Sequence, residues 1–318
     1  MVSLTVIALF IVGIGIGFPL RGRALILKTT DYLVMSAVYA LLFFLGVSVG
    51  TDPRIISNIG SLGWQALTIS SGAIAGSLLL AKWVASFFRQ ETEYSDGPHK
   101  DTKIHQKWYD KLIRIVKSQS LWILIIFSAG IAGAFYGVLP DKWGDDAVAT
   151  SVLYVMMVLV GTSIGADPRS REILKKTRYH ILLIPLLVVV GSLGGSLLAA
   201  LLLNGMDIGN GMAIGAGFGY YSLSAIFIGQ ISGSEMGVVA LLANIFREVF
   251  TLMAAPFLVQ WFGKLGAIAS GGATSMDTTL PVIVKATGKE YAIISIFNGL
   301  VLSILVPVLV PLILEYFG

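Results

Sequence analysis

Long apolar segments recur along almost the whole 318-residue chain and limit what it can fold into. Each is long enough to cross the roughly 30 Å hydrocarbon core of a bilayer, for which about 20 apolar residues suffice. Charged residues make up only 13% of the chain, about half the share found in soluble domains. The sequence therefore predicts an all-α polytopic membrane protein. Its ten apolar segments are 2–20, 32–50, 62–88, 120–139, 148–166, 180–203, 211–231, 236–262, 265–284 and 291–314.

The scarcity of nucleophilic and metal-binding residues argues against several kinds of site. The chain has no cysteine, which excludes disulfides, thiolate metal sites and cysteine nucleophiles, and its three scattered histidines argue against a histidine metal site. We expect no cofactor and no metal. The net charge of +4 arises from the loops between the apolar segments, so it does not indicate a nucleic-acid partner.

Basic residues concentrate in the loops on one side of the apolar segments. Fifteen Lys and Arg residues lie in the loops 21–31, 89–118 and 167–178, whereas the opposite loops hold only Arg54 and Lys142. Because basic loops stay in the cytoplasm, this asymmetry predicts a cytoplasmic (inner) membrane protein with both termini outside. No basic residue precedes the first apolar segment, so we expect a retained span rather than a cleaved signal peptide. The hydrophilic segment 89–118, with both charge signs and Gly and Pro at its centre, is expected to be a solvated cytoplasmic loop.

Two parts of the chain repeat each other. Residues 31–54 align with 146–169 without a gap and share nine identities. Because three spans separate the copies, 1–88 and 119–204 are predicted to be three-helix repeats of opposite orientation. Inverted repeats are typical of secondary transporters. The identities are Asp31/Asp146, Ser36/Ser151, Tyr39/Tyr154, Gly46/Gly161, Ser48/Ser163, Gly50/Gly165 and Asp-Pro-Arg at 52–54 and 167–169, and GAIAGSLL from Gly72 is echoed by GSLGGSLL from Gly191.

The last third of the chain, 205–318, contains a second internal pairing. Residues 244–259 align with 295–310, and each is preceded by a stretch rich in Gly and hydroxyl side chains, at 215–226 and 269–283. Such stretches make poor helices, and broken backbone at membrane depth must face protein or a water-filled cavity. They predict re-entrant hairpins or discontinuous helices. Crossings would give ten spans, but we favour eight transmembrane helices plus two hairpins, because this version also places the three lysines of the region inside.

Ionisable residues inside the spans are costly in lipid and usually functional. Glu248 lies in ANIFREVFTLMAAP, beside Arg247 and one turn after Asn244. The alternative is that Glu248 and Arg247 serve only as pairing groups in the helix bundle. Asp277 lies in the second Gly-rich stretch among hydroxyl residues, which predicts a cation or proton site, with a helix cap as the alternative. Further candidates are Tyr220, Tyr221, Ser222 and Ser224 in the first stretch, Thr274 and Ser275 in the second, and Asn298 in the last span.

Two more carboxylates, Asp52 and Asp167, end the repeated spans in the sequence Asp-Pro-Arg. They are predicted to face opposite sides of the membrane, so they are not equivalent toward a ligand. Asp52 is a candidate for substrate or proton binding, and an ordinary helix terminus is its alternative. The glycines of GVSVG and GTSIG, spaced by four, favour close helix packing.

Three motifs of the chain resemble the corresponding stretches of bacterial lysine exporters of the LysO type. They are GFGYYSLSAI from Gly217, NIFREVFTLMAAP from Asn244 and GGATSMDTTLPVI from Gly271. The resemblance is closest over 211–310. It implies export of L-lysine and of close cationic analogues across the cytoplasmic membrane. It also implies intramembrane acidic residues in transport, a role that it assigns to Glu248 and to Asp52.

Lysine leaves the cell as a cation against an inside-negative potential, which costs about 2.3 kcal/mol per charge per 100 mV. Export must therefore be coupled, and we expect a proton- or cation-coupled antiporter with alternating access rather than an enzyme. Its partners are L-lysine, the coupling ion and the lipid bilayer, and a homodimer is compatible with the sequence. The alternatives are a passive channel or a non-catalytic membrane scaffold. An intramembrane aspartyl protease is disfavoured, because it needs two carboxylates about 3 Å apart.

Overall fold

The apolar segments form helices, because backbone in lipid has to satisfy its hydrogen bonds within the segment. The computed structural model describes residues 2–20, 23–88, 119–139, 146–166, 183–288 and 291–318, and no strand occurs among them. The predicted loop 89–118, Lys142 and Asp167 lie outside the described residues. The helices are α1 (Val2–Gly17), α2 (Ala24–Thr51), α3 (Pro53–Ser57), α4 (Ile59–Phe88), α5 (Gln119–Phe135), α6 (Asp146–Ala166), α7 (Leu183–Leu201), α8 (Ile208–Gly215), α9 (Tyr221–Ser232), α10 (Ser234–Gly271), α11 (Leu280–Thr287) and α12 (Ala292–Phe317).

Several of these helices have the length and composition of membrane spans. Six apolar stretches of at least 18 residues qualify within the described part of the chain, and two shorter apolar helices, Thr5–Leu20 and Trp122–Phe135, accompany them. This confirms the prediction of an all-α membrane protein with several spans. The long stretches are Lys28–Thr51, Ile59–Val84, Ala149–Ala166, Leu183–Leu201, Ser234–Met276 and Ala292–Phe317.

Six long helices, α1, α2, α4, α5, α6 and α7, associate in three pairs. Glycines lie where the two helices of each pair approach most closely. In the α1–α6 pair, Gly13 contacts Gly161 and Gly17 contacts Gly165, so the two helices run parallel. The α2–α5 pair is also parallel, because the contact of Gly46 with Gly130 is followed one turn later by the contact of Gly50 with Ala134. Small residues allow such close approach of helix backbones in membranes.

The third pair, α4 with α7, is antiparallel. Gly72 lies against Gly195, and Gly76 lies against Gly191. A β-carbon added at Gly76 would overlap the carbonyl oxygen of Gly191, and one added at Gly195 would overlap that of Gly72. The two backbones therefore touch directly over one helical turn, with no side chain between them.

The last third of the chain is interrupted twice. The first interruption, Ala216–Tyr220, separates α8 from α9. The second is the 3-10 segment Gly272–Met276 and the residues that lead into α11. The two breaks meet, since the backbone N–H of Ala273 donates to the carbonyl of Phe218 at 2.8 Å. Sequence analysis predicted both interruptions from glycine and hydroxyl content.

A reversal inside α10 brings the second break back toward the first. The backbone of Gly263, at φ 77° and ψ 174°, is not helical. Beyond this point Gly266 lies against Leu258, and the hydroxyl of Ser270 lies 2.7 Å from that of Thr251. The last turns of α10 therefore run antiparallel to its middle turns.

Candidate functional site

A cavity of about 440 Å³ lies between the two breaks and three long helices, α2, α6 and α12. Its polar lining comes mostly from the breaks and the first turn of α9, and each long helix presents one face to it. The polar lining residues are Asp31, Ser163, Tyr220, Tyr221, Ser222, Thr274, Asp277, Thr278 and Ser303.

A larger groove, of about 780 Å³, runs along the contact between α4 and α7. Its lining consists of glycines and apolar residues with two hydroxyls, Thr68 and Ser71, and includes no ionisable group. Residues such as Trp64 and Leu202, exposed by 65% and 80%, give it the character of a lipid-facing surface. The cavity at the breaks is therefore the candidate site.

The side chain of Asn244 stabilises the non-helical backbone of the first break. The backbone there is strained, since Phe218 has φ 49° without being glycine, and Gly219 follows at φ 92°. The side-chain oxygen of Asn244 accepts a hydrogen bond from the Gly219 N–H at 2.7 Å. Its amide nitrogen donates to the carbonyl of Ile214 at 3.3 Å and to the hydroxyl of Ser224 at 3.1 Å. One buried amide thus satisfies groups on both sides of the interruption.

Asn298 and two serines hold the second break in a similar way. The amide nitrogen of Asn298 donates to the carbonyl of Gly272 at 3.0 Å and to the hydroxyl of Ser275 at 3.1 Å. Ser275 and Ser295 each donate a hydroxyl to the other's carbonyl at 2.8 Å. Gly272 itself, at φ 57°, lies so close to Phe218 that a β-carbon would overlap the Phe218 carbonyl. The second break therefore needs glycine at this position.

Asp277 lies at the end of the second break with its side chain exposed to the cavity. Its carboxylate accepts hydrogen bonds from the backbone N–H of Thr278 at 2.6 Å and from the Thr278 hydroxyl at 3.3 Å. Tyr220 and Asp31 line the same cavity. A small cation in the cavity would thus meet carboxylates, hydroxyls and exposed backbone together, which is how discontinuous helices bind ions and substrates.

Arg247 lies on the other side of the breaks and is 2% exposed. Its Nε donates to the carbonyl of Ser270 at 3.0 Å, and Nη2 donates to the carbonyl of Ala269 at 2.9 Å. Nη1 donates to the hydroxyl of Ser192 at 2.8 Å, and Nη2 also donates to that of Ser77 at 3.3 Å. The guanidinium therefore links the C-terminal end of α10, just before the second break, to the contact between α4 and α7.

The residues predicted from sequence occupy three different places. Tyr221, Ser222, Thr274 and Asp277 line the cavity, and Asn244, Ser224, Ser275 and Asn298 secure the breaks behind it. Glu248 is fully buried at 0% exposure and does not belong to the cavity lining in the described part of the chain.

Asp52 lies at the C-terminal end of α2, whereas the cavity is lined by the N-terminal part of the same helix. At 1.5 Å per residue, Asp52 lies about 30 Å along the helix axis from Asp31. Of the carboxylates Asp31, Asp52, Glu248 and Asp277, only Asp31 and Asp277 line the same cavity. Glu248 is buried outside the cavity lining, and Asp52 lies at the far end of α2.

Sequence reasoning missed Asp31 and Ser163 as site residues. The Ser163 hydroxyl on α6 donates to Oδ1 of Asp31 on α2, directly at the cavity. Asp31 was noticed only as an identity between the repeats. The spacing of Asp31, Val34, Met35 and Val38 at i, i+3, i+4 and i+7 places them on one helix face, and this pattern was the available signal.

The comparison with known families gives one match over most of the chain. The family described as "Lysine exporter LysO" matches residues 7–96 and 124–314. No solved structure matches the chain.

Two curated proteins illustrate the similarity. The "Lysine exporter LysO" of Escherichia coli (strain K12) is 28% identical over 299 residues, which cover 93% of this chain and 94% of that protein. The "Putative lysine exporter" of Haemophilus influenzae is 33% identical over 187 residues, or 58% of this chain and 94% of that protein. Both are named as exporters and not as enzymes, which argues against the protease alternative. With the matched family covering most of its length, the chain belongs to the lysine exporter LysO family.

Proposed function

We propose that this protein exports L-lysine from the cytoplasm as a secondary active transporter, by proton or cation antiport with alternating access. The observation that carries the proposal is the cavity between two broken helices with Asp277 exposed in it. Membership of an exporter family supplies the direction and the substrate class.

The cavity has the chemistry that a cationic amino acid requires. The carboxylate of Asp277 offers a charge-assisted partner for an ammonium group. The hydroxyls of Ser222, Thr274 and Thr278 line the same cavity and can bind the polar remainder of the substrate. Its volume of about 440 Å³ is within the range of small-molecule sites.

The helix pairings support the proposed inverted repeats of 1–88 and 119–204. An inverted pair of three-helix units makes the first helix of each unit run parallel to the second helix of the other, and makes the two third helices antiparallel. The α1–α6 and α2–α5 pairs are parallel, and α4 and α7 are antiparallel. Inverted units allow one architecture to open alternately to either side of the membrane.

The proposed topology has eight spans and two re-entrant hairpins, with both termini outside. Both ends of the first interrupted segment lie on one side, since Gly209 at the start of α8 contacts Phe317 at the end of α12 and Gln230 near the end of α9 is hydrogen-bonded to Thr150 at the start of α6. The ends of the second also lie together, since the ammonium of Lys264 is 5.1 Å from the centroid of the Tyr291 ring. These contacts support the hairpins. In this topology the cavity lies in the cytoplasmic half of the membrane, because it is lined by the start of α2 and the end of α6, next to the basic loops 21–31 and 167–178. An exporter in this state is ready to load substrate from the cytoplasm.

Coupling overcomes the electrical cost of moving lysine outward. Inward movement of a proton or cation for each lysine offsets about 2.3 kcal/mol per 100 mV. A carboxyl group that holds either the proton or the lysine ammonium couples the two movements by mutual exclusion. In this mechanism Asp277 exchanges proton and ammonium at the substrate, and Glu248, buried outside the cavity lining, carries the proton separately.

The test is counterflow of radiolabelled lysine in proteoliposomes under imposed pH gradients. Trans-accelerated uptake, driven further by a pH gradient and inhibited by lysine but not by leucine, is expected. Equal inhibition by leucine would contradict the substrate assignment. Flux that only follows the lysine gradient, without acceleration from the other side, would show a passive channel instead.

A further inference from the structure

We propose that Asp31 forms a second cation subsite in the cavity, which binds the side-chain ammonium of the exported amino acid while the break around Asp277 binds its amino-acid head. This inference rests on the proposed transport function and specifies the substrate class as amino acids with two ammonium groups.

The two carboxylates of the cavity have different surroundings. Asp277 lies among the hydroxyls and exposed backbone of the two breaks, which suit an α-ammonium and an α-carboxylate. Asp31 lies on α2, whose cavity-facing residues Val34, Met35 and Val38 are apolar. An aliphatic chain that starts at the polar break can thus lie along an apolar wall and end at a carboxylate.

The opposite wall repeats this arrangement. Val160, Ser163 and Ile164 of α6 face the cavity at i, i+3 and i+4. Ser163 donates its hydroxyl to Oδ1 of Asp31 and so orients the carboxylate between the two helices. Ser163 is the one side-chain donor to Asp31 in the described part of the chain, which leaves Oδ2 to accept from a ligand.

A buried hydroxyl on the third wall independently indicates a polar ligand. Ser303 of α12 is 4% exposed and lines the cavity, and its Oγ has no hydrogen-bond partner among the described residues. Buried polar groups are normally satisfied, so an unsatisfied one at a cavity calls for a ligand or water. A lysine in the cavity would pass this hydroxyl between its two charged ends.

Two carboxylates at the ends of one cavity also explain how substrates are selected. A ligand without a second ammonium would displace water from Asp31 and leave its carboxylate without a partner. The free-energy cost of this unpaired charge disfavours neutral analogues more strongly than the loss of an apolar contact would. Norleucine has the same aliphatic chain as lysine but lacks the ammonium. It should therefore enter the cavity poorly while Asp31 is charged.

The experiment measures inhibition of lysine counterflow by unlabelled lysine and by norleucine, in purified wild-type protein and in the Asp31→Asn and Ser163→Ala variants. Asp31→Asn should weaken lysine binding by about tenfold or more and should bring the inhibition constants of lysine and norleucine to within a few-fold of each other. Ser163→Ala retains the carboxylate and loses only its orienting donor, so it should reduce the preference for lysine much less than Asp31→Asn does.

Each contrary result has a defined meaning. An unchanged preference for lysine in a folded Asp31→Asn protein would overturn the subsite. So would an equal loss of preference in Ser163→Ala, because Asp31 would then act only as a bridge between α2 and α6. Absence of lysine counterflow in the wild-type protein would instead overturn the proposed function. If Asp31→Asn does not fold, Asp31→Glu replaces it, and a carboxylate moved by one methylene should shift the preference among diamino acids of different chain length.

Discussion

Two charged regions lie on either side of the point where the two breaks meet, and they are built in opposite ways. On one side, Asp31 and Asp277 are exposed to a cavity and receive few hydrogen bonds from the protein. On the other side, the guanidinium of Arg247 is buried and donates four hydrogen bonds to serine hydroxyls and backbone carbonyls.

The difference distinguishes a site that can bind and release a ligand from a group that holds helices together. A charge whose donors are mostly hydrogen-bonded to the protein gains little from a ligand, whereas an exposed carboxylate exchanges water for a cation at low cost. The positive group therefore holds the breaks to α4 and α7, and the negative groups remain available to substrate and coupling ion. Variants on the two sides should accordingly fail in different ways.

The largest effect is expected from Asp277→Asn, which removes charge from the cavity without changing the size of the side chain. Lysine counterflow per folded molecule should fall by about 100-fold or more, because the ammonium loses its charged partner at the break. Proteoliposome flux normalised to monodisperse protein measures it. Asp207→Asn, which makes the same change at the N-cap of α8 outside the cavity lining, is the matched control and should retain most of the flux. Wild-type flux in Asp277→Asn would move the substrate site elsewhere.

Arg247→Met should act on stability before transport. The substitution leaves two serine hydroxyls and two carbonyls without their donor, and hydrogen bonds in membrane helices contribute about 0.6 kcal/mol each on average. A loss of about 2 to 3 kcal/mol in the free energy of unfolding is expected. Thermal unfolding in detergent measures the loss. Arg247→Lys keeps the charge but not the planar fork and should be destabilised nearly as much; full stability in Arg247→Lys would mean that the charge alone matters.

Glu248→Gln tests whether a third, buried carboxyl carries the coupling proton. Because Glu248 lies outside the cavity lining, lysine-for-lysine counterflow should persist, while export driven by a pH gradient should fall by about tenfold. Both fluxes are measured on the same preparation. Unchanged pH-driven export would remove Glu248 from the mechanism and leave Asp277 as the group that exchanges proton and lysine.

The smallest effect is expected from Asp52→Asn, at the far end of α2 from the cavity. Lysine affinity measured from the cavity side should stay within about twofold of wild type, since a charge about 30 Å away acts weakly on the bound ammonium. Inhibition constants from counterflow provide the comparison with Asp31→Asn. A loss as large as that of Asp31→Asn would show that both ends of α2 bind the substrate during the transport cycle.

Local composition was enough to predict the breaks but not what they enclose. Glycine and hydroxyl content at 215–226 and 269–283 predicted interrupted helices, and Asp277 was identified as a candidate because it lies within one of them. Asp31 escaped notice because its partner Ser163 is 132 residues away in the chain. Similarly, Arg247 was considered as a pairing group of the helix bundle without a named partner, and its bond to Ser77 spans 170 residues. Periodicity and composition describe one segment at a time, and these contacts join segments that only the helix pairing brings together.

The direct backbone contact of α4 with α7 has a mechanical consequence. Most helix pairs interlock through side chains, so one helix can turn against the other only if buried side chains change rotamer and repack. Gly72, Gly76, Gly191 and Gly195 present no side chain at the crossing, so a small rotation there meets a nearly smooth surface. Relative motion of the two helices would then be resisted by the hydrogen bond between the Ser77 and Ser192 hydroxyls and by the Arg247 bonds to both, beside the crossing. Rotation at this crossing is therefore opposed by a few hydrogen bonds rather than by interlocked side chains.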